Sequence, residues 1–154
     1  MKKIYFTSLL SFVCLSLLVG FLGSQLSGPE TFSLTYSELN KPSFSPPSWV
    51  FAPVWTILYI LMGIAGYLIW KAKEKNTLVL FFSQLALNLI WPIIFFGLNQ
   101  YLWAFVEIII LWIFTFLTIK ECFRFSKTAF YLLLPYILWL TFASILNFSI
   151  IIIN

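Results

Sequence analysis

The sequence predicts an all-α fold, an integral membrane bundle of five transmembrane helices that forms a single domain over residues 1–154. Three observations predict it. Of the 154 residues, 62% are hydrophobic and 9% are charged, whereas soluble proteins average about 25% charged residues. The apolar residues form runs of about 20, the length that a helix needs to cross a bilayer. These runs lack the alternation of apolar and polar residues that a membrane β-barrel shows.

The first helix is predicted over residues 4–26. Its basic start, "MKK", and its apolar centre resemble a signal peptide. However, the apolar run exceeds the about 7–15 residues of a signal core, and no clear A-x-A cleavage site follows it. We therefore expect this segment to stay in the protein as a transmembrane helix.

A long loop, about residues 27–48, precedes the second helix, which is predicted over residues 49–70. The stretch "KPSFSPPSWVFAPVW", from Lys41 to Trp55, holds four prolines and two tryptophans. Proline fixes the backbone angle φ and is tolerated in the first turn of a helix, where Pro53 falls. The second helix is therefore expected to begin with a stiff, aromatic segment.

Three more helices are predicted over residues 77–96, 101–119 and 128–153. The connections "KAKEKN", "GLNQ" and "KECFRFSK" are short and carry turn or charge signals. Pro92 and Pro135 fall inside helices, where a proline removes one hydrogen bond and tends to bend the helix.

The basic residues predict the orientation of the chain. With five spans, the N-terminus, the second loop and the fourth loop lie on one side of the membrane. Lys41 is alone on the other side, and eight of the nine basic residues share the first. The eight are Lys2, Lys3, Lys71, Lys73, Lys75, Lys120, Arg124 and Lys127. Basic residues concentrate on the cytoplasmic side, so in a bacterial host we expect an inner (cytoplasmic) membrane protein with its N-terminus inside and its C-terminus outside.

Composition excludes several kinds of function. Histidine and aspartate are absent, which removes Ser-His-Asp triads, histidine general bases and most zinc sites. No metal site is expected, and Cys14 and Cys122 are interpreted as small buried hydrophobic residues rather than a disulfide. Membrane insertion accounts for the net charge of +4, so no nucleic-acid partner is expected.

Polar and aromatic residues recur with helical spacing inside the predicted spans. Gln84, Asn88 and Trp91 share one face of the third helix, and Trp139 is part of a similar stripe on the fifth. Such groups either tie helices together by hydrogen bonds or face a cavity. With the bends expected at the prolines, they indicate an aromatic-lined site near the first-loop side.

Two other kinds of residue in the spans have structural interpretations. Trp49, Trp70 and Trp103 lie near helix ends, where tryptophans commonly act as interface anchors. Glu107 is the one acidic residue well inside a span, without a basic residue inside any span to pair with. We interpret it as a structural group with a neighbouring hydrogen-bond donor rather than as a proton carrier.

Three stretches carry a resemblance to a known family. They are "KPSFSPPSWVFAPVWTILYILMGIAGYLIW", "QLALNLIWPIIFFGLNQYLWAFVEIIIL" and "LLLPYILWLTFASILN". The first stretch contains the Lys-Pro, Pro-Pro, Pro-Val-Trp, Leu-Tyr and Met-Gly elements of the translocator protein family in order, and all three stretches match that family in spacing. The chain thus resembles that family, also called tryptophan-rich sensory proteins (TspO) or peripheral benzodiazepine receptors, and is similar to its bacterial members.

The resemblance implies a pocket between the five helices, capped by the first loop. It implies binding of porphyrin, heme and other tetrapyrroles, or of drug-like hydrophobic ligands, and assembly as a homodimer in the lipid bilayer. No cofactor is required, since a porphyrin or heme would be the ligand. The ligand-binding residues carried over by motif are Trp49, Phe51, Trp55, Asn88, Trp91, Trp103, Trp139, Phe142, Ala143 and Leu146.

The chain departs from the family pattern at three places. Thr35 and Phe44 stand where members commonly have tryptophan, which implies a less aromatic cap. The end of the chain, "LNFSIIIIN", lacks the Tyr and Arg of the sterol motif that animal members carry. Cholesterol is therefore not expected as the natural ligand.

Three functions follow from the resemblance. The first is a membrane receptor or sensor for tetrapyrroles. The alternative is an enzyme that degrades porphyrin under light, with Trp55 and Trp139 as its candidate catalytic residues. A passive transporter of such compounds is the third, although the sequence shows no nucleotide motif, internal repeat or intramembrane charge pair.

Overall fold

The computed structural model describes residues 2–28 and 36–154; Thr35 and the first part of the long loop therefore lie outside the described residues. Every regular element of the described chain is helical, as predicted. The helices are α1 (Lys2–Leu26), α2 (Phe51–Lys71), α3 (Lys75–Pro92), α4 (Tyr101–Phe125) and α5 (Lys127–Ile153). A 3-10 turn (Ser48–Val50) leads into α2, and a π-helical turn (Ile93–Gly97) continues α3.

Five spans are confirmed within the described residues. Each is long and apolar enough to cross a bilayer, and large hydrophobic side chains such as Phe6, Ile57 and Leu138 lie exposed on the outside of the bundle. An apolar exterior is stable when lipid rather than water surrounds it. The chain is therefore an integral membrane protein.

Glycines set the packing of α1 against α2. A Cβ atom on Gly63 would lie 2.5 Å from the Cα atom of Val13, so the two backbones touch at this level. Further along the pair, a Cβ atom on Gly20 would overlap the ring of Tyr59. Small residues of this kind let membrane helices approach closely.

Pro92 changes the winding of the third span. The chain leaves the α-helical pattern directly after this residue, and the N–H of Leu98 donates to the carbonyl of Ile93 at 2.9 Å, five residues back. A π-helical turn adds a residue to the local winding. It leaves Phe95 and Phe96 both buried, side by side at the first-loop end of the bundle. Pro135, by contrast, lies inside α5 without ending it.

The fourth helix is longer than predicted. The charges of "KECFRFSK" predict a loop over residues 120–127, but α4 continues to Phe125 and only Ser126 separates it from α5. A helix can extend beyond the hydrocarbon layer, and here Arg124 and Glu121 form an ion pair of 2.8 Å on its surface. The Ser126 hydroxyl then accepts a hydrogen bond from the N–H of Ala129 and caps α5.

The buried residues form two clusters. The larger joins α2 to α5 around Met62, Phe81 and Tyr136, and partly buried side chains of α1 pack against it. The smaller lies at the first-loop end and contains Tyr36, Phe95, Phe96, Ala104, Leu146 and Ile150. Of the two cysteines, both free, Cys122 is buried as predicted, whereas Cys14 is exposed because it lies on the outer face of α1.

Candidate ligand-binding site

A cavity of about 460 Å³ lies within the bundle, toward the first-loop end. All five helices and the π-helical turn contribute to its wall, and Tyr36 and Ser48 contribute from the loop. Its position agrees with the expectation of an aromatic-lined site on the first-loop side.

Seven of the ten residues predicted to bind ligand are brought together around this cavity. They are Phe51, Trp55, Asn88, Trp91, Trp139, Ala143 and Leu146. They come from three helices and from positions almost a hundred residues apart in sequence, so the fold, rather than the local sequence, assembles them.

The other three lie elsewhere. Trp49 is 72% exposed and Trp103 is 63% exposed, and neither lines the cavity. Both stand at the start of a helix, where the interpretation as interface anchors fits their exposure. Phe142 also lies outside the cavity, with its ring 5.4 Å from that of Trp139 and 6.3 Å from that of Phe44.

One aromatic group of the cavity comes from α2 and α5. The rings of Trp55 and Trp139 are 6.5 Å apart and nearly perpendicular, at 87°. Tyr59 stacks on Trp55 at 5.5 Å, and Phe51 meets Trp139 edge-on at 6.0 Å. Edge-on and offset contacts of this kind fix the planes of the rings. The group therefore presents ordered aromatic surface to the cavity.

A second aromatic group comes from α3 and the π-helical turn. Trp91 stacks on Phe95 at 4.9 Å, with 26° between the planes. Phe96 meets Trp91 edge-on at 5.8 Å. Phe95 lies four residues after Trp91, where helical spacing alone places it beside the tryptophan, and the extra residue of the π-helical turn brings Phe96 there as well. Sequence reasoning missed both. The signal for Phe95 was its spacing, and the signal for Phe96 was the proline that precedes the turn.

A hydrogen-bonded triad joins three helices beside the cavity. The Tyr59 hydroxyl donates to Oδ1 of Asn88, and Nδ2 of Asn88 donates to the Tyr136 hydroxyl at 2.7 Å. Tyr59 and Asn88 line the cavity, and Tyr136 is fully buried behind them. Of the two roles expected for Asn88, tying helices together is thus present in the structure. Tyr136 was not predicted, although a buried tyrosine hydroxyl requires a partner.

Residues 36–47, which we call the cap, hold their own shape. The Tyr36 hydroxyl donates to the carbonyl of Pro46 at 2.7 Å. The ammonium group of Lys41 donates to the carbonyls of Tyr36 and Leu39. Burial raises the pKa of Tyr36 above its ordinary value, which keeps its hydroxyl protonated as a donor. The stiffness that the prolines predict is thus reinforced by hydrogen bonds.

The side chain of Asn154 ties the cap to α5. Its Oδ1 accepts from the N–H of Asn40 at 3.1 Å, and its Nδ2 donates to the carbonyl of Asn40 at 2.9 Å. Below this pair, Tyr36 is buried together with Leu146 and Ile150 of α5. The cap is therefore fixed on the α5 side of the cavity.

The chemistry of the site favours binding of an apolar molecule. None of the lining residues that the structure describes carries a charge, and the described chain contains no cluster of three or more residues that could hold a metal ion. Glu107 is buried outside the lining, and within the described parts of the chain neither of its oxygens has a hydrogen-bond partner. The neighbouring donor that we expected for Glu107 is thus not found.

Comparison with known proteins shows which family this chain matches. The profile of the TspO/MBR family matches residues 12–153. The chain is 46% identical to the "Tryptophan-rich protein TspO" of Chlorobaculum tepidum, covering 99% of this chain and 98% of that protein. It is 43% identical to the "Translocator protein" of Ovis aries, with 84% and 79% covered. It is 36% identical to the "Tryptophan-rich sensory protein" of Cereibacter sphaeroides, with 74% and 73% covered.

The matches extend over the helices that line the cavity and over the cap, and not over one motif alone. The chain belongs to the TspO/MBR family of integral membrane proteins.

Proposed function

We propose that this protein is a membrane receptor or sensor that binds tetrapyrroles, such as porphyrin and heme, and similar flat hydrophobic ligands in the aromatic cavity. The observation that carries the proposal is the set of ordered rings around Trp55, Trp91 and Trp139 within a cavity of about 460 Å³. Ligand pockets commonly span about 300–1,000 Å³ and are lined mainly by apolar and aromatic side chains. The names of the similar proteins, "translocator" and "sensory", support a role in recognising a molecule.

The physical basis of binding is the burial of flat apolar surface against flat apolar surface. Aromatic pairs contribute about 0.5–1.5 kcal/mol beyond the area they bury, and several such contacts are available to a macrocycle. Asn88 offers a polar group at the cavity wall whose orientation two tyrosines fix. A ligand therefore meets a largely preformed site.

A titration of the purified protein with protoporphyrin IX in darkness tests this function. We expect saturable quenching of tryptophan fluorescence at micromolar ligand. Trp139→Leu should weaken binding, whereas Trp103→Leu, a tryptophan outside the cavity, should leave the affinity unchanged. A linear response without saturation, or equal losses in both variants, would contradict the proposal.

A second candidate function is light-dependent degradation of the bound porphyrin. The edge-on contact between Trp55 and Trp139 supports it, because two oxidisable indoles would stand together beside the ligand. Illumination should then yield a new absorbing product that Trp139→Phe abolishes. Equal loss of porphyrin in detergent alone would exclude this activity.

We also propose a homodimer in a bacterial cytoplasmic membrane, with the N-terminus inside. The segregation of eight of nine basic residues supports this orientation. Single cysteines introduced at residues 43 and 73 of a variant without Cys14 and Cys122 test the orientation. A thiol reagent that does not cross the membrane should label the cysteine at residue 43 in intact cells, and the cysteine at residue 73 only after the cells are opened.

Light scattering of the purified protein in detergent, which measures its mass, tests the dimer.

A further inference from the structure

The exposed part of the cavity wall belongs to one side of the bundle. Five lining residues are exposed, namely Phe21, Ser24, Ser48, Ala52 and Thr56. All of them lie on α1, on α2 or in the turn that begins α2. The lining residues of α3, α4 and α5 are buried or half-buried. The cavity thus reaches the protein surface between α1 and α2.

The packing of α1 explains why the opening lies there. The two helices run antiparallel and touch at Val13 and Gly63, then at Gly20 and Tyr59. The next positions in this antiparallel register are Ser24 and Thr56, which are both exposed. The contact between α1 and α2 therefore ends one turn beyond Gly20, where the opening begins.

At the level of the opening, α1 packs on α3 instead. A Cβ atom on Gly23 would lie 3.1 Å from Cγ of Pro92, so these two helices are in close contact. Gly23 itself is buried, while its neighbour Ser24 is exposed. At this level α1 is therefore in contact with α3, and the opening lies between α1 and α2.

The opposite route, beneath the cap, is closed by specific contacts. Asn154 makes two hydrogen bonds to the backbone of Asn40, and Tyr36 is 6% exposed, packed with Leu146 and Ile150. A ligand that entered on the α5 side would have to break these contacts.

We propose that flat hydrophobic ligands enter sideways from the bilayer, through the slot between α1 and α2 bounded by Phe21, Ser24, Ala52 and Thr56. This inference rests on the proposed function of the cavity. These positions lie within two of the helices that are long and apolar enough to cross a membrane, so we infer that the slot opens toward lipid, where apolar ligands concentrate. Three of its four bounding side chains are small, which leaves space between the helices.

Association kinetics test the slot. Ser24→Trp and Thr56→Trp place a large ring in it, and Gln25→Trp and Ile60→Trp are controls at exposed positions of the same helices outside the lining. With the protein in nanodiscs and protoporphyrin IX supplied from vesicles, porphyrin absorbance reports binding. We expect both the association and the dissociation rate to fall about tenfold in the slot variants and neither to change in the controls, because a barrier on the route slows passage in both directions, whereas a weakened site would raise the dissociation rate.

Four further outcomes make the test decisive. Phe21→Ala, which widens the slot by removing a ring, should raise both the association rate and the dissociation rate. Asn154→Ala, which releases the cap, should leave the association rate unchanged; a faster rate would overturn the lateral route in favour of the cap. Slot variants that bind at the rate of the unmodified protein would also overturn it. Absence of saturable binding by the unmodified protein would instead contradict the proposed function.

Discussion

Replacing Asn88 by leucine should destabilise the protein by more than the loss of its own hydrogen bonds. The substitution removes the acceptor of the Tyr59 hydroxyl and the donor to the Tyr136 hydroxyl. Interhelical hydrogen bonds in membranes average about 0.6 kcal/mol, so two of them contribute about 1.2 kcal/mol. A buried hydroxyl left without a partner costs about 1–3 kcal/mol. We therefore expect the free energy of unfolding to fall by about 2–4 kcal/mol.

The variant Asn88→Leu/Tyr59→Phe separates the two contributions. It removes the orphaned Tyr59 hydroxyl together with the asparagine, and replacing both partners by apolar groups can be nearly neutral. The double variant should thus be more stable than Asn88→Leu alone. Tyr59→Phe alone, which leaves Oδ1 of Asn88 without its donor, provides the matched single change.

Reversible unfolding in mixed detergent micelles, followed by near-ultraviolet circular dichroism, measures these differences. Each kcal/mol corresponds to roughly 2–4 °C in Tm for a chain of this size. A double variant that loses the sum of the two single losses would refute the reasoning, because the three groups would then act independently rather than as one hydrogen-bonded unit.

Other substitutions test the packing, the cavity and the cap. Gly63→Ala should lower the free energy of unfolding by about 1–3 kcal/mol through overpacking, whereas Gly97→Ala, whose Cβ would meet its nearest neighbour at 3.5 Å, should change thermal stability little. Ala143→Phe places a ring in the cavity wall and should weaken protoporphyrin binding at least tenfold, about 1.4 kcal/mol; unchanged affinity would place the ligand elsewhere. Because burial raises the pKa of Tyr36, the unfolded chain loses that proton first above about pH 10. Stability is thus retained below this pH and lost as it rises further, and Tyr36→Phe should reduce the loss in alkaline unfolding curves.

Hydrophobic run length predicted the five spans, because the bilayer sets the length of a helix and lipid permits an apolar surface. The same property could not predict where α4 ends. The segment from Lys120 to Phe125 carries charges, but a helix that leaves the hydrocarbon layer has no physical reason to stop at its edge. The turn came only at Ser126, whose hydroxyl caps the next helix.

The cavity was predictable only in part. Trp55, Asn88 and Trp139 could be assigned from helical spacing and motif because they lie deep within their spans. Trp103 carries the same side chain, yet it stands at a helix start and faces outward, with 63% of its surface exposed. Motif position alone does not distinguish a residue that faces the cavity from one that faces lipid.

The residues that sequence reasoning missed act through partners distant in the chain. Tyr136 matters because Asn88 lies opposite it, and Asn154 matters because Asn40 lies above it. Neither relation has a local signature in spacing or composition. Phe96 was missed for a different reason, since only a π-helical turn brings a residue five positions after Trp91 onto the same face. Phe95 lies four positions after Trp91 and was available from helical spacing.

The bond between Asn40 and Asn154 joins residues 114 positions apart, which has a consequence for how the molecule is made. Synthesis proceeds from the N-terminus, so four helices leave the ribosome before the residue that holds the cap exists. Trp139, Ala143 and Leu146 arrive with the same last helix. The nascent chain therefore passes through insertion without a complete site, and we expect ligand to stabilise only the finished protein.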